Sequence, residues 1–273
     1  MPRCGAMDAL VLESAELPMG GVTHVMAVIN LSPESKNHQS VVRTPGEALE
    51  RARRYRDLGA AVIDLGGQSS HYDNPTIGES AEIARLLPAV EMLVADGFVV
   101  SVDTWKVGVA RACIEAGAHI LNDTGGLADP DMQNVAAEAG VAAIVMYIEG
   151  AHPHAVGAVE IREDKAETTT TWMRRRLDEL ARVGVTRTIV DPGISINYRG
   201  DYSAYTRMQL EVIRDLDTIR SLGRPVLVPI PRKKEDHRVA AYIALALDHG
   251  ADLIRVHDVA MACDLVELFG RRG

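Results

Sequence analysis

Four short apolar runs in this chain each deliver a polar side chain at their carboxyl end: Ala60-Ala-Val-Ile-Asp64, Val99-Val-Ser-Val-Asp103-Thr104, His119-Ile-Leu-Asn122-Asp123 and Thr188-Ile-Val-Asp191. Runs of this kind fit parallel strands covered on both faces, so their carboxyl ends should converge on one mouth. Other runs bring Asn30, Met146 with Tyr147, Arg232 with Lys233, and Arg255-Val-His257-Asp258 to the same end. The carboxylates and Asn122 supply acceptors and donors for a flat, nitrogen-rich ring, while Asn30, Lys233, Arg255 and His257 suit an anion. An acidic side would then face a basic side in one pocket. An aspartate at a strand end can also simply cap the next helix, and Asp64 and Asp123 are open to that alternative.

Other chemistries find less support. The nine histidines make no HxH or HExxH on an expected strand end or helix, and His152-Pro-His154 falls in a loop, where solvated surface is expected. A hard ion such as Mg²⁺, held by Asn30 and substrate phosphate oxygens, fits better than a histidine-bound metal. There is no GxSxG nucleophile elbow. Lys233 could form a Schiff base, but its neighbours Arg232 and Lys234 give no specific sign of it.

The elements that must position these residues alternate with little slack. Strands are expected at 24–30, 60–65, 98–103, 118–122, 141–147, 187–191, 225–230 and 252–256. Helices are expected from Pro45 to about Leu58, with Gly59 as the stop, and at 79–95, 105–116, 130–139, 161–183, 204–221, 237–248 and 260–270. Eight strand-then-helix units indicate an α/β (β/α)8 barrel, and no GxGxxG follows the first strand to support a dinucleotide fold. Residues 8–19 read as a short extended pair capping the bottom of the barrel. The polar loop after Asn30 and the long loop from Gly66 to Thr76 are the functional candidates among the connections.

At 273 residues, with no low-complexity linker, the chain is expected to be one domain over 1–273 with its core at about 22–270. A net charge of -9 and a pI near 5.5 argue against nucleic acid or an anionic membrane surface as the main partner. Cys4, Cys113 and Cys263 form no CxxC, and the first twenty residues lack an apolar signal core, so a cytoplasmic protein without membrane spans is expected.

Seven blocks, in order, give the chain a resemblance to the dihydropteroate synthase family of pterin-binding barrels: Val28-Ile-Asn30-Leu-Ser-Pro-Glu34, Ile63-Asp-Leu-Gly-Gly-Gln-Ser-Ser70, Ser101-Val-Asp-Thr-Trp-Lys106, Ala118-His-Ile-Leu-Asn-Asp123, Asp191-Pro-Gly-Ile194, Arg232-Lys233 and Ile254-Arg-Val-His-Asp258. The resemblance covers about residues 22–270. It implies a transferase of folate biosynthesis that joins a dihydropterin-methyl diphosphate to an arylamine such as 4-aminobenzoate and releases diphosphate. It further implies a pterin held by Asp64, Asp103, Asn122, Met146, Asp191 and Lys233. Asn30, Arg255 and His257 would hold the diphosphate and its Mg²⁺, with Asp103, Lys233, Arg255 and His257 as the catalytic set. A homodimer is compatible with it.

The loops depart from the family. Pro33-Glu-Ser-Lys-Asn-His38 stands for the usual Pro-Asp-Ser-Phe-Ser-Asp, Ser69-Ser-His71-Tyr72 for Ser-Thr-Arg-Pro, and Pro229-Ile-Pro-Arg-Lys-Lys234 for Gly-Thr-Ser-Arg-Lys-Ser. Lys36, His38, Ser69, Ser70 and His71 therefore mark a rebuilt second-substrate site. Alternative functions are a different transfer, such as one-carbon transfer, or pterin binding without catalysis.

Overall fold

The computed structural model describes residues 9–11, 16–19, 21–157, 161–196, 201–233 and 235–269. A hairpin of β1 (Ala9–Val11) and β2 (Glu16–Pro18) precedes eight parallel strands: β3 (His24–Asn30), β4 (Val62–Gly66), β5 (Val100–Asp103), β6 (Ile120–Asp123), β7 (Ala142–Met146), β8 (Thr188–Asp191), β9 (Leu227–Pro229) and β10 (Leu253–Val256). Their order is β8-β7-β6-β5-β4-β3-β10-β9. The two outer strands meet through a parallel bridge between Val190 and Val226, and Val190 N–H donates to the Pro225 carbonyl at 2.9 Å, so the sheet closes into a (β/α)8 barrel. Around it lie α1 (Pro45–Asp57), α2 (Glu79–Ala95), α3 (Val107–Glu115), α4 (Pro130–Ala139), α5 (Lys165–Arg182), α6 (Tyr202–Arg214), α7 (Leu216–Arg220), α8 (Asp236–Asp248) and α9 (Val259–Phe269).

Alternation along the strands explains how this frame presents a site. Successive side chains point to opposite faces. Val25, Ala27 and Ile29 of β3 pack outward with the helices, while Met26, Val62, Ile120, Ile144, Ile189, Leu227 and Leu253 form a separate cluster inside the barrel. Two residues further along the same faces stand Asp64, Asn122, Met146, Asp191, Pro229 and Arg255. The inward face is thus apolar at the bottom and polar at the carboxyl end. Leu17 on β2 and Met19 just after it join the inner cluster and cap its base as expected.

Several expected boundaries change. The helix expected over 204–221 divides at Asp215, whose Oδ1 accepts the Thr218 hydroxyl at 2.8 Å without capping a backbone N–H. The helix expected at 161–183 starts only at Lys165, and the strand expected at 225–230 contracts to β9, although Ile230 N–H still donates to the Arg255 carbonyl at 2.9 Å beyond its end. Trp105 and Lys106 precede α3 instead of opening it. Asp8, Lys234 and Gly270, which belonged to those expectations, lie outside the described residues. No described helix is long and apolar enough to cross a membrane.

Candidate active site

The deep end of the mouth is lined by Ser70, Asp103, Asn122, Thr124, Met146, Asp191, Ser195, Ile196, Pro229 and Arg255. Asp64 and Asn122 are 0 % and 2 % exposed, and Asn122 Nδ2 donates to the Asp64 carboxylate at 3.3 Å. Arg255 reaches back from β10 across the barrel, Nε donating to Asp64 Oδ2 and Nη2 to Asp103 Oδ2, both at 2.6 Å. Charge-assisted contacts of this length are among the strong ones. Asp191 accepts Gly193 N–H at 2.7 Å, in a turn that only glycine fits: its φ is +68° and a Cβ there would lie 1.9 Å from the Tyr147 carbonyl oxygen. Burial pushes the Asp103 and Asp191 carboxyls up to about 7, against the pull of the Arg255 guanidinium. Asp123, which burial pushes up to about 6, accepts Gly125 and Leu127 N–H at 2.6 and 2.9 Å and caps its own turn.

Arg255 and Asp103 also border an outer cavity with Asn30, Lys36, Asn37, Ser69, Ser70, His71, Tyr202, Gln209, Arg232, Lys233 and His257. His257 sits in a closed circuit. Asn30 Nδ2 donates to Ser40 Oγ (2.8 Å), Ser40 donates to the Asn37 carbonyl (3.0 Å), and Asn37 Nδ2 donates to His257 Nε2 (2.8 Å). His257 Nδ1 meets Ser40 Oγ at 2.9 Å. With the Ser40 proton spent on Asn37, this circuit assigns the imidazole proton to Nδ1. Burial, with Arg255 and Arg232 nearby, pushes the ring down to about 3, so His257 is neutral and its Nε2 is an acceptor.

The first two loops are fastened to each other. Arg85 Nη1 holds Glu34 at 2.9 Å and the Gly67 carbonyl at 2.8 Å, and Asn74 Nδ2 bridges the Glu34 carbonyl and Ser69 Oγ at 3.0 and 2.7 Å. Lys36 Nζ lies 3.1 Å from His71 Nε2, so these two departures from the family pattern meet across the mouth. His38 does not join them. It is exposed and lines an adjoining cleft together with Lys36, Lys233, Val239, His257 and Asp258.

His152 and His154 require a correction. They are not solvated surface: both rings pack on Trp105, with centroids at 5.9 and 5.3 Å, and His154 links Thr76 to the Ser69 carbonyl, 2.9 Å from each. Trp105 supplies the flat partner that no local pattern announced.

Lys233 does not line the small pocket but borders the outer cavity that shares Ser70, Asp103 and Arg255 with it, 3.3 Å from Thr206 Oγ1 and 3.2 Å from Gln209 Oε1, with its ammonium over the Tyr202 and Tyr242 rings. Sequence reasoning missed this support. Tyr202, Tyr205, Thr206 and Gln209 recur at helical spacing, which was the available signal.

Comparison with known proteins follows the same lines. Residues 26–257 match the family described as pterin binding enzyme. A probable bifunctional folylpolyglutamate synthase/dihydropteroate synthase of Haloferax volcanii is 33% identical over 269 residues, 93% of this chain but 31% of that protein, so the chain spans about a third of its length. The dihydropteroate synthase of Bacillus subtilis is 29% identical over 260 residues, 90% of this chain and 87% of that one. Among solved structures, dihydropteroate synthase from Thermus thermophilus in complex with 4-aminobenzoate superposes with a TM-score of 0.80 at 32% identity, covering 96% of this chain and 98% of that chain.

Proposed function

The chain belongs to the family of pterin-binding enzymes, and from that premise we propose that it is a dihydropteroate synthase-type transferase, condensing a dihydropterin-methyl diphosphate with an arylamine. The observation that carries this is the buried polar set at the barrel's carboxyl end, with Asp191, Asn122 and Asp103 lining one small pocket and Arg255 bordering both it and the outer cavity. A pterin edge presents adjacent donors that the Asp191 carboxylate can accept, and a buried polar site of this kind rejects rings that lack them. Breaking the methyl C–O bond leaves positive charge on the ring and negative charge on the diphosphate, and the incoming amine closes the new C–N bond and loses a proton. Fixed carboxylates on the ring side and cations at the outer end match that separation.

Arg255 binds Asp64 and Asp103 through Nε and Nη2, which leaves both Nη1 hydrogens and the second Nη2 hydrogen to offer to the leaving group. His257 can donate to that group only if Asn37 gives up Nε2 and the ring takes up a proton there. Asn30 commits its amide nitrogen to Ser40, and its Oδ1 is the atom suited to a hard cation. Among the described residues no group of three His, Cys, Asp or Glu could hold a metal, which fits Mg²⁺ held mainly by substrate oxygens and water. When bound, such an ion neutralises charge on the diphosphate. Cytoplasmic location rests on the cysteine pattern and a homodimer on the resemblance alone; sedimentation of the purified chain decides the second.

The Lys36–His71 contact supports a second possibility, an acceptor other than 4-aminobenzoate. Diphosphate release from the dihydropterin-methyl diphosphate, measured with and without 4-aminobenzoate, tests both. Release stimulated by 4-aminobenzoate at about 1 s⁻¹ or faster is the ordinary enzyme range and removes the second possibility. Pterin binding with slow release favours it, and no pterin binding sinks the proposal.

A further inference from the structure

One buried amide joins the two walls of the mouth. Gln209, 2 % exposed, lies on α6 one turn from Tyr205 and Thr206. Its Nε2 donates to the Ile194 carbonyl at 2.5 Å. Its Oε1 accepts from the Lys233 ammonium at 3.2 Å and from the Tyr242 hydroxyl at 2.9 Å. The orientation is forced, because an ammonium only donates and a carbonyl only accepts: a flipped amide would set donor against donor and acceptor against acceptor.

Each contact leads to a different part of the site. Ile194 ends the turn that begins at Asp191, and the same stretch is held at Ile194 and Ile196 by the Tyr205 hydroxyl, at 2.9 and 3.0 Å. Lys233 follows β9 and borders the outer cavity. A lysine side chain is a flexible stem with rotatable donors, and two tyrosine faces alone would restrain its ammonium without fixing its position. The amide adds that directional restraint and refers it to the carbonyl of the Asp191 turn.

We infer that Gln209 is a positioning residue that sets Lys233 relative to the Asp191 turn, so that both meet one pterin at once. This rests on the function proposed above. Gln209 is 2 % exposed at the edge of the outer cavity, its amide is spent on Ile194, Lys233 and Tyr242, and the role inferred for it is exercised through Lys233.

The test is a double-mutant cycle read by calorimetric binding of a dihydropterin-methyl diphosphate to the full chain. Gln209→Met keeps the shape and removes all three hydrogen bonds; Gln209→Asn keeps an amide that is too short to span both partners. Each should weaken binding about tenfold in the wild-type background and less than about twofold when Lys233 is already Met. Equal losses in both backgrounds would mean a general packing role and overturn the inference. So would wild-type affinity in the Gln209 variants or in Lys233→Met, or unfolding of both Gln209 variants while Lys233→Met folds. Failure of the wild-type chain to bind the diphosphate sinks the proposed function instead, a result read before any variant is made.

Discussion

Asp64, Asp103 and Asp191 surround a single guanidinium, that of Arg255, so the buried cluster is short of positive charge. Burial raises Asp103 and Asp191 to about 7, and Asp191, whose carboxylate has its only described hydrogen bond from Gly193, is the one whose protonation a ligand would feel most directly. Acceptance of two donors from a pterin edge requires the ionised carboxylate. Pterin affinity should therefore rise about tenfold from pH 6 to pH 8 and level off above. Asp191→Asn can still accept from Gly193 but turns a donor toward the ring. It should bind at least about tenfold more weakly at pH 8, since hydrogen bonds to charged groups contribute roughly 1.5 to 3 kcal/mol each, and it should lose the part of the pH dependence that Asp103, the other carboxyl raised to about 7 in this pocket, does not supply. Calorimetric titrations across this range check both; an unchanged slope in the variant would take Asp191 out of the recognition edge.

At the scale of elements, the loop after β4 is fixed by a residue from the next unit. Lys106, just before α3, donates to Gln68 Oε1 at 2.5 Å, to the Ile77 carbonyl at 2.6 Å and to Glu82 Oε2 at 2.7 Å, while Thr104 holds the other Glu82 oxygen at 3.0 Å. Glu82 is 1 % exposed, so Lys106→Met would leave a buried carboxylate without its cation. Breaking a buried pair in this way costs about 3 to 5 kcal/mol. Urea unfolding should show a loss of that order, together with faster proteolysis within 68–77; a variant with wild-type stability would show that the pair is dispensable. The barrel was legible because strand alternation and polar strand ends are local signals, carried by residues such as Asp64, Asp103 and Asp191. The Lys106 clasp, the Trp105 stack on His152 and His154, and the Asn37–His257 link were not legible. Each joins residues from separate loops, and no spacing within either loop encodes the meeting. The split of α6 from α7 falls at Asp215 within a stretch whose apolar periodicity runs on without a break, so periodicity does not resolve it.

For the whole molecule, the site carries a pH-dependent stability penalty with a definite sign. Asp191 has a folded pKa of about 7 against 3.8 in its unperturbed form, so between those values the folded chain binds more protons than the unfolded one. Stability then falls as pH rises through that window and levels off above about 7. The histidines oppose this: His71, His152 and His257 are all lowered, first by burial, so they add stability as pH rises toward 6.5 and nothing beyond it. The net curve of the wild type also contains Asp103 and Asp123, likewise raised by burial, but these and the histidines are common to wild type and Asp191→Asn, so the difference between the two reports Asp191. Each pH unit in the window corresponds to about 1.4 kcal/mol for a fully shifted group. The stability of Asp191→Asn relative to wild type should thus grow by on the order of 2 kcal/mol between pH 5 and pH 8, with most of the change below pH 7. Urea midpoints at half-unit intervals measure it. A difference that stays constant with pH would mean that Asp191 is as easily ionised in the folded barrel as in the unfolded chain, and that the buried cluster is neutralised by some other means.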